Sequence, residues 1–402
     1  MDVRLVSKEE YIAYLLLCNV CFLYGADPGY VDWHKDLEEQ SKGYEEVMAG
    51  FDDQNNLVAG VRTIPYNMYF DGHLVKMGGV AAVVTAPEAR ASGVMGKVMV
   101  ESLRIMKERG QIFSILYPFS YAYYRKYGYE LAYQTNTAEI STNAFCNYPF
   151  PQDSVRLWKK GDGFADIKAV YDVFKKDRNY ILERDNKQWE QVTKNDPYTT
   201  TRYTYIHYDS QNKPDAYLMM HPSERRPDHS IDMHIDELAW TDKSGLQAMF
   251  GFIGGLRPQC DKIFWTDVPM DLDLYSLFPE AHDVKINKSS SGMTRIVDLP
   301  KVLEKLRPPS VAQGRVVIDI TDRSLPCNTG KYALSWKDGV LSVEKTDQNP
   351  DMSTTIEAMT QMAIGYLNPG EAGYRQDTTI YSQHEMLMAL LPKKNICLWE
   401  RF

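Results

Sequence analysis

The chain has 402 residues, enough for two to four domains at ~100–200 residues each. Hydrophobic residues make up 44% and charged residues 25%, an ordinary globular balance, with 27 tyrosines. The formal net charge of −9 argues against a nucleic-acid partner, whose phosphates recruit Lys/Arg-rich surfaces, and permits a cationic substrate.

The first segment, VRLVS, reads as a strand. Ser7 and Glu10 then form an S-x-x-E capping box, which predicts a helix through YIAYLLLCNVCFLYG. The acidic SKEE before that run, with no A-x-A site after it, argues against a signal peptide. No run reaches the ~18 apolar residues of a membrane span. Cys18 and Cys21 read as small hydrophobes on this helix, because no second CxxC follows to complete a metal site. The six cysteines are scattered, which fits a reducing cytoplasm, and a cytoplasmic location is expected.

NLVAGVRTIPYNMYF and HLVKMGGVAAVVT follow as consecutive strands joined at a DG turn. The paired glycines and small residues of GGVAAVVT point to a bulge or to close approach by a ligand. The loop APEARASG leads into a helix from Val94 to Arg109. Its residues Met99, Leu103 and Met106 recur at helical spacing, and Gly110 is its C′ residue. IFSILY is a short, fully apolar strand. SYAYYRKYGYE then packs five tyrosines into eleven positions: Tyr121, Tyr123, Tyr124, Tyr127 and Tyr129.

Two prolines in FCNYPFPQ mark a break near 145–152. Beyond it the same order recurs more weakly: IDMHIDELAW as a strand, TDKS as a cap, GLQAMFGFIGGL as a helix and KIFWTDVP as a strand. This predicts a duplication in which the second copy lacks the Arg-x-x-Gly loop, and with it whatever that loop binds. A further boundary falls in LPKVLEKLRPPSVAQG. The strands GRVVIDITD, KYALSWKDG and VLSVEKT come after it, then a helix STTIEAMTQMAIGYL with Ser353 and Thr354 near its cap. Three domains are expected, at 1–148, 149–300 and 301–402, of α/β (α+β) class: two mixed-sheet domains and a smaller α+β domain.

The sharpest motif is Arg90-Ala91-Ser92-Gly93-Val94-Met95-Gly96, between a strand and a helix. A helix start exposes unpaired N–H groups and the positive end of its dipole, and Gly93 permits close backbone approach. The loop therefore suits a diphosphate, although a plain strand-to-helix turn has the same sequence. Neither G-x-G-x-x-G nor G-K-[ST] follows a strand, which excludes the Rossmann and P-loop fingerprints. In HSIDMHID, strand alternation puts Asp232, His234 and Asp236 on one face. A solvated polar face accounts for them, and no metal is expected. The charged loop SERRPDH needs no nucleic acid.

VVTAPEARASGVMGKVMVESL, followed by ILYPFSYAYYRKYGYE, resembles the acetyl-CoA site of GNAT N-acetyltransferases and, more narrowly, the Eis (enhanced intracellular survival) family. The resemblance covers the whole chain. It implies a catalytic GNAT domain, a second GNAT-type domain without cofactor and a sterol-carrier-protein-like C-terminal domain. It also implies a homo-oligomer, a hexamer, with a small-molecule amine as acceptor. Val83, Val84 and Thr85 would contact the pantetheine arm. Arg90 opens the R-x-x-G pattern, and Ala91, Ser92, Gly93, Val94, Met95 and Gly96 would hold the diphosphate. Phe119 and Ser120 would line the thiol end. Met95 departs mildly from the small residue usual in GNATs at large.

Direct transfer needs a deprotonated amine, a polarised thioester and a proton for the departing thiolate. A tyrosine, with a pKa of ~10, remains protonated and can supply that proton. On the sequence alone any tyrosine of the cluster qualifies, or none, since packing explains them all. The resemblance selects Tyr124 as general acid. The apolar terminus CLWERF predicts a tucked tail, and the resemblance makes the Phe402 carboxylate the general base. Trp33 is either pocket wall or core, and Glu400 with Asp27, Glu38 and Glu39 would supply negative charge to the acceptor pocket. Tyr24 and Arg401 stand where aminoglycoside-acetylating relatives carry acids. The rival reading is a lipid-binding protein that uses the C-terminal domain.

Overall fold

The computed structural model describes residues 2–23, 43–226, 230–309 and 313–402. Trp33, Tyr24, Asp27, Glu38, Glu39 and His229 lie outside the described residues. The strands in the first part of the chain are β1 (Asp2–Leu5), β2 (Val47–Phe51), β3 (Leu57–Phe70), β4 (His73–Thr85), β5 (Phe113–Leu116) and β6 (Glu130–Leu131). Next come β7 (Gln134–Ser141), β8 (Val155–Leu157), β9 (Tyr203–Tyr208), β10 (Pro214–Pro222), β11 (Met233–Trp240), β12 (Lys262–Trp265) and β13 (Val284–Ser290). The last are β14 (Met293–Ile296), β15 (Gln313–Thr321), β16 (Gly330–Lys337), β17 (Val340–Lys345), β18 (Met352–Thr355) and β19 (Thr378–Ile380). The helices used below are α1 (Tyr11–Phe22), α2 (Val94–Glu108), α3 (Tyr121–Arg125), α4 (Ala165–Phe174), α5 (Lys243–Gly254) and α6 (Ile356–Ile364).

These elements make mixed sheets in the orders β1-β2-β3-β4-β5-β14-β6, β13-β7-β12-β11-β10-β9-β8 and β17-β16-β15-β18-β19. The first and third belong to one compact unit, residues 1–133, 291–393 and 401–402. The second belongs to another, residues 134–290 and 394–400. Each of the two larger sheets has one parallel pair, β4 with β5 and β11 with β12, bridged by α2 and α5 respectively. Read from the parallel pair outward the two sheets match, as the duplication predicts. The chain does not divide where its local composition breaks, however. The strand beside β5 is β14, which directly follows the second copy, and the strand beside β12 is β7, which directly follows β6. The sheets therefore part at 133/134 and 290/291, whereas the composition breaks at 148 and 300. A four-residue strand such as β14 carries no local mark of its partner, since pairing is set by long-range register.

The first sheet is buried on both faces, because its strands alternate. Val47, Ala49 and Phe51 of β2 pack with Tyr11, Tyr14, Leu15 and Cys18 of α1. Met48 of the same strand packs with Val94, Val98, Met99 and Leu103 of α2. Each Val, Leu, Phe or Met among them contributes roughly 1.5–3 kcal/mol of burial. Ser7 and Glu10 exchange the reciprocal capping-box bonds, at 2.8 and 3.3 Å. In the third sheet Ser353 and Thr354 belong to β18, and the cap of α6 is Thr355, whose hydroxyl accepts the Ala358 N–H. The β-branched Thr354 and Thr355 extend the strand before the helix begins.

Candidate active site

β4 and β5 pair only from Met77–Phe113 to Val80–Leu116, so Ala81–Thr85 keeps β3 as its one partner. The β3–β4 register slips opposite Val61, and Ala82 takes φ +45°. This is the bulge foreseen from GGVAAVVT, centred on an alanine rather than on the glycines, and it turns Val83 and Thr85 toward the gap. A cleft of about 760 Å³ opens there. Its walls include Val83, Val84, Thr85, Arg90, Ala91, Ser92, Gly93, Val94, Met95, Gly96 and Phe119. Cys21, Phe22, Ala89, Tyr123, Lys126 and Tyr127 complete the lining.

Gly93 is the N-cap of α2 at φ +80°, a conformation that glycine adopts without strain. Having no side chain, it leaves the helix start bare, and Ser92 Oγ accepts only the Val94 N–H, at 3.4 Å. The corresponding helix of the second copy differs. Asp242 caps α5 by accepting the Gly245 N–H at 3.0 Å.

The tyrosines separate by environment. Tyr129 is fully buried, hydrogen-bonds Ser114 at 2.6 Å and is pushed by burial up to about 12. Tyr121 donates to the Ser291 carbonyl at 2.9 Å. Tyr123 and Tyr127 share a 3.5 Å hydroxyl contact on the cleft wall. Tyr124 is buried behind that wall, with its ring edge-on to Phe119 at 5.4 Å and Tyr123 at 5.2 Å. Its hydroxyl makes no hydrogen bond among the described residues. Burial, then the neighbouring Tyr129 and Tyr127, raises its pKa above the ordinary value. Ser120 does not line the cleft, because its Oγ is used to cap α3 by accepting the Tyr123 N–H at 3.3 Å. The i, i+4 spacing of Tyr123 and Tyr127 was the available signal for a shared face.

The Phe402 ring lies over Gly79 of β4. It is 5.2 Å from the ring of Tyr66 and 5.5 Å from that of Tyr117. Arg401 stacks on Tyr117 at 4.7 Å and bonds Ser291 Oγ at 3.0 Å. Glu400 counts with the second unit. There Arg184 holds it at 2.6 Å and holds Glu237 at 2.5 Å, so its charge is already matched. Asp232 is paired with Arg226, and Asp236 with Arg202 and His221, while His234 stacks between His221 and Phe264. Among the described residues, no group of three or more His, Cys, Asp or Glu is arranged to hold a metal, and no helix is long and apolar enough to cross a membrane.

Residues 2–132 and 181–296 match acetyltransferase (GNAT) domain families, and 299–391 match the sterol carrier protein domain. With the splayed β4–β5 pair and the bare helix start, this makes the chain a GNAT acetyltransferase, whose co-substrate is acetyl-CoA. Among solved structures it is similar over 100% of both chains to a GCN5-related N-acetyltransferase from Anabaena variabilis, at 21% identity and TM-score 0.85. It is also similar to a conserved protein of Enterococcus faecalis described as a probable N-acyltransferase, at 21% identity, TM-score 0.82 and 98% of each chain. Eis1 from Mycobacterium abscessus matches at 18% identity and TM-score 0.82 over 100% of both chains. Two GNAT domains followed by a sterol carrier domain give the protein the Eis-type architecture. No curated protein matches the chain.

Proposed function

We propose that the protein transfers an acetyl group from acetyl-CoA directly to the primary amine of a small molecule, an aminoglycoside-like polyamine or a lysine-type amine. The observation that carries this reading is the docking of the C-terminal residue on β4, at Gly79, one residue before the pairing with β5 ends. The amine nitrogen attacks the thioester carbonyl, and its proton passes to the Phe402 carboxylate. The C–S bond then breaks, and Tyr124 returns a proton to the thiolate. The products are an N-acetylamine and CoA thiol.

Burial supports Tyr124 in this role, since it keeps the phenol protonated at neutral pH. The R-x-x-G loop and Thr85 would hold the diphosphate and the pantetheine arm. Action in the cytoplasm as a hexamer completes the proposal. An amine screen with acetyl-CoA, read by thiol release, tests it on the wild-type chain, on Tyr124→Phe and on a chain extended beyond Phe402. Turnover with amine and a fall of ~10²-fold or more in either variant is expected. Full activity in both overturns the mechanism, and lipid binding without acetyl-CoA binding favours the rival binding protein.

A further inference from the structure

The polar groups behind the tyrosine wall come from β14 of the first sheet and from the sterol-carrier-like domain that follows it. Arg295 of β14 and Asp322, just after β15, form an ion pair with both side chains 0% exposed. The pair is bidentate on one nitrogen, at 2.8 and 2.6 Å. The other terminal nitrogen of Arg295 donates to the Tyr127 carbonyl, in the turn that ends the tyrosine segment. Gly128 takes φ +80°, a conformation that favours glycine, and a Cβ there would also fall against Arg295 Nη1. Asp322 is itself fixed, accepting from the N–H groups of Ser324 and Leu325 and from Asn328 Nδ2, at 2.9–3.0 Å. Ser324 Oγ donates to the Lys126 carbonyl at 3.3 Å, and Leu325 is buried in the same apolar cluster as Tyr124 and Tyr129. One face of residues 120–129 therefore lines the cleft, and the other is gripped by residues 322–328.

We propose that the Arg295–Asp322 pair and Leu325 are positioning residues for acetyl transfer: β14 and the C-terminal domain together clamp the tyrosine turn so that Tyr124 meets the leaving sulfur. This rests on Tyr124 acting as the general acid. A buried ion pair fixes a geometry while adding little net stability, which is what positioning requires. It gives the sterol-carrier-like domain a part in catalysis that needs no lipid.

A double-mutant cycle between Asp322→Asn and Tyr124→Phe on the full chain tests it, measuring kcat together with acetyl-CoA Kd. Asp322→Asn is expected to lower kcat at least tenfold in the wild-type background and less than twofold in the Tyr124→Phe background, with Kd within twofold in both. A general loss of structure would instead add to the effect of Tyr124→Phe. If Asp322→Asn does not fold, Leu325→Ala is carried through the same cycle, since it keeps the ion pair and removes only the packing behind Tyr124. Additive losses, or unchanged kcat in the clamp variants while Tyr124→Phe is impaired, overturn the clamp alone. Unchanged kcat in Tyr124→Phe overturns both the clamp and the general-acid assignment.

Discussion

Gly79→Ala separates tail docking from everything else the first domain does. A methyl group on Gly79 would lie 2.8 Å from Tyr66 Cε2 and 2.9 and 3.0 Å from Phe402 Cδ2 and Cε2. Carbon atoms pack at ~3.5–4.0 Å, so a ring must withdraw by about 0.5–1 Å. Tyr66 is carried by β3, paired opposite Met77, whereas Phe402 lies in no strand or helix, so its ring gives way. Weakening its ring contacts with Tyr66 and Tyr117 costs about 0.5–1.5 kcal/mol each, within the ~1–3 kcal/mol of a tight small-to-large change. Stability should fall by only a few degrees in Tm. The carboxylate moves with its residue, and a displacement of ~1 Å in an aligned group can cost ~10²-fold. Steady-state kinetics should give kcat down ~10–100-fold with acetyl-CoA Kd within about twofold, because Thr85 and the R-x-x-G loop are untouched. Adding Phe402→Ala, which keeps a terminal carboxylate but removes the ring, should lower kcat no further. A kcat within twofold of wild type, or a loss explained by weaker acetyl-CoA binding, refutes the reasoning.

Gly93→Ala has open space around its new Cβ, so its only cost is the left-handed backbone, ~1–2 kcal/mol. If the free loop relaxes, acetyl-CoA affinity measured by calorimetry should fall roughly 5–30-fold, with kcat at saturation preserved. Arg184→Met leaves Glu237 and Glu400 buried without their cation, and should destabilise the second unit by about 3–5 kcal/mol. Glu400→Gln keeps the Glu237 pair and should cost less; equal losses in thermal unfolding contradict this. Burial holds Tyr124 and Tyr129 above the ordinary phenol value, Tyr129 at about 12. Their protonated forms are thus fully stabilising below pH ~10, and that stability is lost as pH rises through the folded-state values. No alkaline loss of kcat belonging to Tyr124 should occur below pH ~10, and a limb there that vanishes in Tyr124→Phe refutes the assignment.

Local features were legible in the sequence. The capping box at Ser7, the DG turn, the helix from Val94 and the loop from Arg90 each depend on residues within a few positions of one another. What was illegible is non-local. SGMTRIV gives no sign that β14 leaves the second copy to pair with β5, or that Arg295 will be fully buried against Asp322. Glu400 looks like a free acid for the acceptor pocket until Arg184, far off in sequence, is found on it. Tyr127 lines the cleft and Tyr124 is buried behind it, an arrangement that spacing alone does not reveal because α3 is only five residues long.

The two copies also explain physically why only the first is suited to an anion. Both pass from the parallel strand into a helix whose N-terminus carries the positive end of the dipole. In the first copy the cap is Gly93, which offers that end to whatever enters the cleft. In the second, Asp242 folds its own carboxylate onto the Gly245 N–H, so the site a diphosphate would need already holds a negative charge from the chain itself. Gly245 is closed off further, since any Cβ there would lie 2.7 Å from the Asp215 carbonyl oxygen. An N-cap aspartate stabilises a helix by ~0.5–2 kcal/mol. The second domain has thus taken up as helix stability the same electrostatic feature that the first domain leaves open to the cleft.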